Sequence, residues 1–460
     1  RRAFCPSIMP NVGGAFPDPL LIFCQNGADM TVADFHHDPA HAEMLDLLAV
    51  FSRFGATPEG GVSRLACDPH EGEARACFTN WLTQNGFEVR IDQIGNIFGL
   101  VDFGVGDPEL AFFCGSHLDS QPDGGRFDGA LGVITAMVVA KTLKSAVERG
   151  DLVPVYRHLV VVSWTSEEGA RFQPSLLGSG VFCAAIPPDQ ALAIRDAAGI
   201  SVKSALSEIG CLGSDVIPRP GYYFELHIEQ GTRLETTGTS IGIVERCWGA
   251  VKLRVCVHGR ADHTGPTPMH ARKDALLAAS HLVVSVNALS KAAASDLYTS
   301  VGRMEIAPNS PNTIAETVRL WIELRSPDQV ALQAALQDLK AEIARLPEVE
   351  GCAMDIETEG HRPVTEFDPV GCDIVDAAAL GAGLNTMRMS TIAGHDAINL
   401  QTICPASLIF VPSKDGISHA PDEFTSDADV IAGYEASRAA IAALLTTRPK
   451  GNQHSRRAHK

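Results

Sequence analysis

Positive charge is scarce in this chain. Its 37 Lys and Arg stand against 55 Asp and Glu, a net charge of -18 at pH 7. A nucleic-acid partner is therefore not expected: such a surface repels a polyanion, and no basic stripe runs along the body of the chain. A small anionic substrate stays possible, because it answers to the local field of a site. The 12 cysteines are scattered, with no C-x-x-C pair and no small-domain framework. That pattern fits reduced thiols and a cytoplasmic setting rather than disulfides. No apolar run approaches the ~20 residues of a membrane span, so no membrane partner is expected. Residues 19–24 are apolar but too short, and wrongly flanked, for a signal peptide. No G-x-S-x-G elbow is found, which argues against a serine nucleophile.

What is present is a globular composition, 45% hydrophobic over 460 residues, enough for more than one domain. Residues 1–40 have weak periodicity and many Pro, Gly and His, and read as an extension. Helical pattern begins near Ala42, and strand and helix then alternate to about Arg246. This predicts an α/β catalytic domain with a largely parallel sheet between helices. After Trp248 the pattern changes to β-α-β-β-α-β, the split-βαβ (ferredoxin-like) signature of a small antiparallel sheet. The expected organisation is a discontinuous catalytic domain, 41–246 and 362–448, with a second domain inserted at 247–361. A basic, disordered tail is expected at 449–460.

Four chemical residues follow short apolar runs that read as buried strands. Residues 110–114 lead to His117, 158–164 to Glu168, 222–226 to His227, and 407–411, one loop later, to His419. Open α/β sheets bind ligands outside the carboxyl ends of their strands. Imidazoles and carboxylates arriving there together suit divalent metals. Asp128, in Gly-Gly-Arg-Phe-Asp-Gly before an apolar helix, is placed to bridge two ions. Two such ions lower the pKa of water toward ~7 and polarise a carbonyl. A free carboxylate must then carry the proton to a leaving nitrogen, and Glu167, beside Glu168, is the candidate. His36, His37 and His41 look like a ligand cluster only superficially. Glu229 is expected to point away from His227 if that segment is extended.

These motifs (Gly-Ser-His117-Leu-Asp119, Gly-Gly-Arg-Phe-Asp128-Gly, Glu167-Glu168-Gly, His227-Ile-Glu-Gln230-Gly and Ser-His419) resemble the M20 metallopeptidase clan. More narrowly they resemble its hydantoinase/carbamoylase amidase branch, which holds N-carbamoyl-L-amino-acid hydrolases, allantoate amidohydrolases and β-ureidopropionases. The similarity runs from about Glu43 to Leu445 and includes Gly-Ala-Thr-Pro-Glu-Gly-Gly-Val-Ser-Arg64-Leu-Ala. His227 narrows it, because peptidases of the clan usually have a carboxylate there. The resemblance implies two divalent ions per subunit, zinc first, with manganese, cobalt or nickel as alternatives. His117, Asp128 and His227 would hold one; Asp128, Glu168 and His419 the other. It implies Glu167 as general base, Asp119 orienting His117, the inserted domain 247–361 as a lid and dimerisation domain, and His263 completing the site across that homodimer. Asn312, Arg325, Gln230, Gly394 and His395 match its substrate positions. Ile392 stands where the family often has a small residue, which bears on pocket size.

The implied activity is hydrolysis of a linear ureido C–N bond in a small ureido acid. N-carbamoyl-L-amino acids come first, allantoate second, β-ureidopropionate third. An aminoacylase or peptidase of the clan, and a non-catalytic binding protein, are the alternatives.

Overall fold

A computed structural model of the chain describes residues 38–293 and 296–448. The expected basic tail, His36, His37 and nearly all of the expected extension lie outside the described residues. The chain divides into two compact units. One takes in the described residues up to Gly242, Asp373–Met387 and those from Thr402 onward; the other is Ile243–Cys372 with Arg388–Gln401.

The first unit is built on β1 (Glu88–Ile91), β2 (Ile97–Asp102), β3 (Asp107–His117), β4 (Tyr156–Trp164), β5 (Pro220–Ile228) and β13 (Ala406–Val411). Their order is β1-β2-β4-β3-β5-β13. The β4–β3, β3–β5 and β5–β13 pairs are parallel, while β1–β2 and β2–β4 are antiparallel. Leu159–Val162 of β4 and the whole of β13 are buried, as strands covered on both faces must be. The helix Ala130–Arg149 is buried at every residue from Ala130 to Ala140. It lies between β3, β4 and β5 on one side and the helices Pro39–Phe51 and Asp427–Leu445 on the other. Burying each of its Leu, Val, Ile and Met side chains is worth about 1.5–3 kcal/mol, so the helix that begins beside Asp128 is held firmly.

One expectation needs correcting. Ala130–Arg149 and Ala275–Ala292 are long and apolar enough, by length and composition, to cross a membrane. The first is a core helix. The second buries Ala275, Ala278, Ala279, Leu282 and Val286, a helical stripe that packs on its own sheet.

In the second unit, β7 (Gly249–His258), the helix Ala275–Ala292, β8 (Tyr298–Ala307), β9 (Thr317–Ser326), the helix Gln329–Glu350 and β10 (Ala353–Arg362) follow the expected β-α-β-β-α-β order. The sheet order is β10-β7-β9-β8, antiparallel throughout. Alternate residues Val251, Leu253, Val255, Val257 and Val318, Leu320, Ile322, Leu324 form its core with the two helices. Three shorter strands are β6 (Ile241–Cys247), β11 (Thr365–Glu366) and β12 (Thr386–Thr391); β11 and β12 both pair with β6. The unit is larger than the span 247–361 because hydrogen bonds recruit distant chain. The Trp248 amide donates to the Thr391 carbonyl at 2.9 Å. Arg325 and Arg362 both donate to the Ile392 carbonyl, at 2.8 and 3.0 Å.

Candidate metal centre

The strand ends carry the donors, as the motif positions predict, with a small shift. His117 is the last residue of β3 and His227 lies within β5, so both belong to the strands rather than following them. Side chains there inherit the rigidity of the ladder. The turns beyond are strained: Ser166, Gln230 and His419 have φ of 55°, 56° and 55°. Each such non-glycine residue costs of order 1–3 kcal/mol and persists where the surroundings impose it. Gly129 answers a different need. Its φ is +63°, and a Cβ there would fall on the His117 imidazole.

Asp128 is the hub. Its Oδ1 lies 3.3 Å from His117 Nε2 and 3.1 Å from His227 Nε2. Its Oδ2 lies 3.4 Å from His419 Nε2, and Glu168 Oε2 is 3.4 Å from the same nitrogen. Two triads result, His117–Asp128–His227 and Asp128–Glu168–His419, each with donor atoms within 4.8 Å of one another. These are the sets the motifs imply, and they fit divalent cations by donor type: imidazole nitrogens and carboxylate oxygens around one shared carboxylate. His117 Nδ1 meets the Asp119 carbonyl at 2.9 Å, and His227 Nδ1 the Ile228 carbonyl at 3.0 Å. A carbonyl only accepts, so both Nδ1 atoms carry protons and both rings turn Nε2 toward Asp128.

Electrostatics show what the centre wants. Burial disfavours the charged Asp128, but His227, His117 and His419 outweigh it and hold the carboxyl well below its usual range. Burial lowers and neighbouring carboxylates raise the pKa of His117 and His227, with the net shift upward. The Asp128 hydrogen bond pushes His419 up to about 9, and burial with the Asp128 charge pushes Glu168 up to about 7. Without a cation the carboxylates recruit protons onto the imidazoles. Metal and protons compete for the same atoms.

Glu167 is buried, with Oε2 3.6 Å from His117 Nε2. Asp119 meets His117 at its other ring nitrogen, chiefly through the backbone. Its carboxylate is 3.7 Å from His117 Nδ1, while its backbone carbonyl takes the ring proton. The carboxylate instead accepts the amides of Glu167 and Glu168, at 3.1 and 3.2 Å. It thereby fixes the turn that presents both glutamates, and burial lifts its pKa to about 6. Gln230 donates from Nε2 to Asp128 Oδ2 at 2.7 Å and to Ser418 Oγ at 3.1 Å, so its amide nitrogen is committed to the metal centre. Glu229 caps the next turn through the Arg233 and Leu234 amides, in line with its exclusion.

Four contributors were given no role by the motif reading. Gln121 holds Glu168 through its backbone and side-chain N–H groups, at 3.2 and 2.9 Å. Arg64, buried, donates to the carbonyls of Leu118, Phe51 and Phe54 and so backs the strand end behind His117. A buried arginine needs such acceptors, and its place among Val62, Leu65 and Ala66 was the available signal. Ser418, next to His419, reaches Asp128 Oδ2 and Glu423 Oε2 with its hydroxyl, and Glu423 accepts the Asp128 amide.

His41 meets Glu435 at 2.8 Å, and Asp38 joins them within 4.8 Å. Arg438 already neutralises Glu435 at 2.6 Å, which disfavours a cation there.

The remaining candidates belong to the second unit. The exposed His263 accepts the Gly265 amide on Nδ1 at 3.0 Å, which places the ring proton on Nε2. The Asn312 carbonyl accepts the Thr264 amide, bringing Asn312 beside it. Arg325 is engaged by Glu323 at 2.9 Å as well as by the Ile392 carbonyl. Gly394 and the buried His395 follow that carbonyl, with His395 Nε2 3.4 Å from Thr391 Oγ1.

The family model of the Peptidase family M20/M25/M40 matches residues 113–443, a span containing both donor triads and Glu167. This chain belongs to the M20 family. Among its M20 relatives, an N-carbamoyl-L-amino-acid amidohydrolase from Rhizobium meliloti is 35% identical over 85% of this chain and 93% of its own. An allantoate amidohydrolase from Bacillus subtilis is 32% identical, covering 85% and 94%. A solved hydantoinase/carbamoylase amidase from Burkholderia vietnamiensis superposes with a TM-score of 0.81 at 34% identity, over 89% and 98% of the two chains. Family membership and the His/Asp/His cluster together point to divalent-metal use.

Proposed function

We propose that this M20 protein is a binuclear metal amidohydrolase that cleaves a linear ureido C–N bond, with N-carbamoyl-L-amino acids as substrates. The observation that carries this is the pair of donor triads sharing Asp128, with a further buried carboxylate, Glu167, 3.6 Å from His117 Nε2. Two divalent ions, zinc before manganese, cobalt or nickel, would supply an acidified water and a polarised carbonyl. Glu167 takes the proton of the attacking water as its oxygen adds to the ureido carbon. It then delivers that proton to the amide nitrogen as the C–NH2 bond breaks, so ammonia leaves and the remaining carbamate yields CO2 and the amino acid. The Nε2–H of His263 is the donor for the developing oxyanion. Arg325 and Asn312 hold the α-carboxylate. Gln230, Gly394 and His395 are the further substrate-binding residues. Allantoate is the second reading, favoured by the similarity to an allantoate amidohydrolase at 32% identity.

The test is ammonia release from the metal-stripped and reconstituted protein. N-carbamoyl-L- and D-amino acids, allantoate, ureidoglycolate, β-ureidopropionate and N-acetyl amino acids should be screened. Full activity in protein shown to be metal-free, or no ammonia from any ureido acid, removes this reading.

Arg325→Lys is expected to raise KM for the acid substrate by roughly tenfold or more, since a charged hydrogen bond contributes about 1.5–3 kcal/mol. Lys keeps the charge but loses the planar fork. If Arg325 serves only the Glu323 pair, the change costs about 0–1 kcal/mol. Kinetics on the acid and its neutral amide decide, and unchanged discrimination leaves Arg325 a structural residue.

A homodimer through the second unit is also proposed. Its sheet ends in β8, an edge strand with Tyr298 and Met304 exposed, open to pairing. Sedimentation at assay concentration should give a dimer; a fully active monomer contradicts it and the role of His263 across subunits.

A further inference from the structure

Glu423 is 3% exposed and has no Lys or Arg ion pair among the described residues. A buried carboxylate in that state needs other donors. Its Oε1 accepts the amides of Phe127 and Asp128, both at 3.0 Å. Its Oε2 accepts the Ser418 hydroxyl at 2.9 Å, and Ser418 Oγ is also 3.1 Å from Asp128 Oδ2. The turn before it is shaped around the carboxylate: a Cβ on Gly125 would fall inside it. Glu423 thus grips the backbone of the shared ligand on one side and the neighbour of His419 on the other.

We propose that Glu423 is a positioning residue that sets the spacing of the two donor triads, so that the second cation binds tightly only while this clamp is closed. The proposal rests on the two-metal reading. The Ser418 hydroxyl has one proton and faces two carboxylates, so it serves one of them at a time. Glu423 matters chiefly through the two amides, which no other side chain here satisfies. Gln preserves that function: its carbonyl accepts both amides and its NH2 donates to Ser418 Oγ. Asp, one methylene shorter, does not reach.

The test uses the full chain, stripped of metal and titrated with zinc against a chromogenic chelator, with steady-state kinetics at saturating zinc. For Glu423→Ala the second equivalent should bind roughly 10–100-fold more weakly, with kcat lowered by a similar factor. KM should stay within about twofold, as for an interaction that acts at the chemical step. Glu423→Asp should behave like Ala, and Glu423→Gln should recover most of the affinity and kcat. Gly125→Ala, which displaces the carboxylate while leaving it in the chain, should copy the Ala phenotype even if Glu423→Ala does not fold. Wild-type zinc affinity in Glu423→Ala or Gly125→Ala, or a Gln variant as impaired as Ala, overturns the proposal. Failure of the parent reading looks different: the unmodified protein would then bind no second equivalent at all.

Discussion

Glu167→Gln is expected to keep its metal and lose turnover by about 10²–10⁴-fold, the usual contribution of general acid–base catalysis. The side chain is buried, its Oε2 is 3.6 Å from His117 Nε2, and its amide is pinned by Asp119. Gln is nearly isosteric, so the turn and both triads should survive. What disappears is the ability to take a proton from water and return it to nitrogen. The measurement is kcat together with elemental analysis of the same preparation. Near-normal turnover at full metal content removes Glu167 from the mechanism. Loss of metal in step with activity would instead make it a ligand.

Asp128→Asn should have a comparable effect for a different reason. Asp128 belongs to both triads and is the counter-charge to His117, His227 and His419. Asn keeps the shape and the Gln230 neighbourhood but removes the charge. Binding at both positions should weaken together, and with it several kcal/mol of transition-state stabilisation, about 10²–10⁴ in rate. In the metal-free variant the His419 pKa should fall from about 9 toward the ordinary imidazole value, because Asp128 is the first cause of its rise. Histidine titration by NMR reads this directly. A variant that keeps one full equivalent of metal and wild-type turnover would show that the carboxylate is not shared.

The amino-acid sequence by itself determined the element order, the α/β unit with its parallel strands and the split-βαβ unit, and it singled out the five candidate donors and Glu167 that the fold brings together. Strand ends are legible because apolar runs stop where a ladder stops, and a polar residue placed there has few structural uses. The second periodicity, alternating at Val251–Val257 and Val318–Leu324, announced the antiparallel sheet equally plainly. Tertiary structure alone decided who supports whom. Asp119 serves the Glu167–Glu168 turn with its carboxylate and His117 with its backbone, a division that motif spacing does not encode. Glu423 acts on residues almost three hundred positions earlier in the chain, Asp128 and Phe127. Arg325 and Arg362 draw Ile392 and the turn after it into the second unit. The physical reason is common to all three. A ligand is recognised by its own chemistry and local context, but its partner is whichever buried donor or acceptor the packed chain leaves to be satisfied. That choice is made only when distant segments close around it.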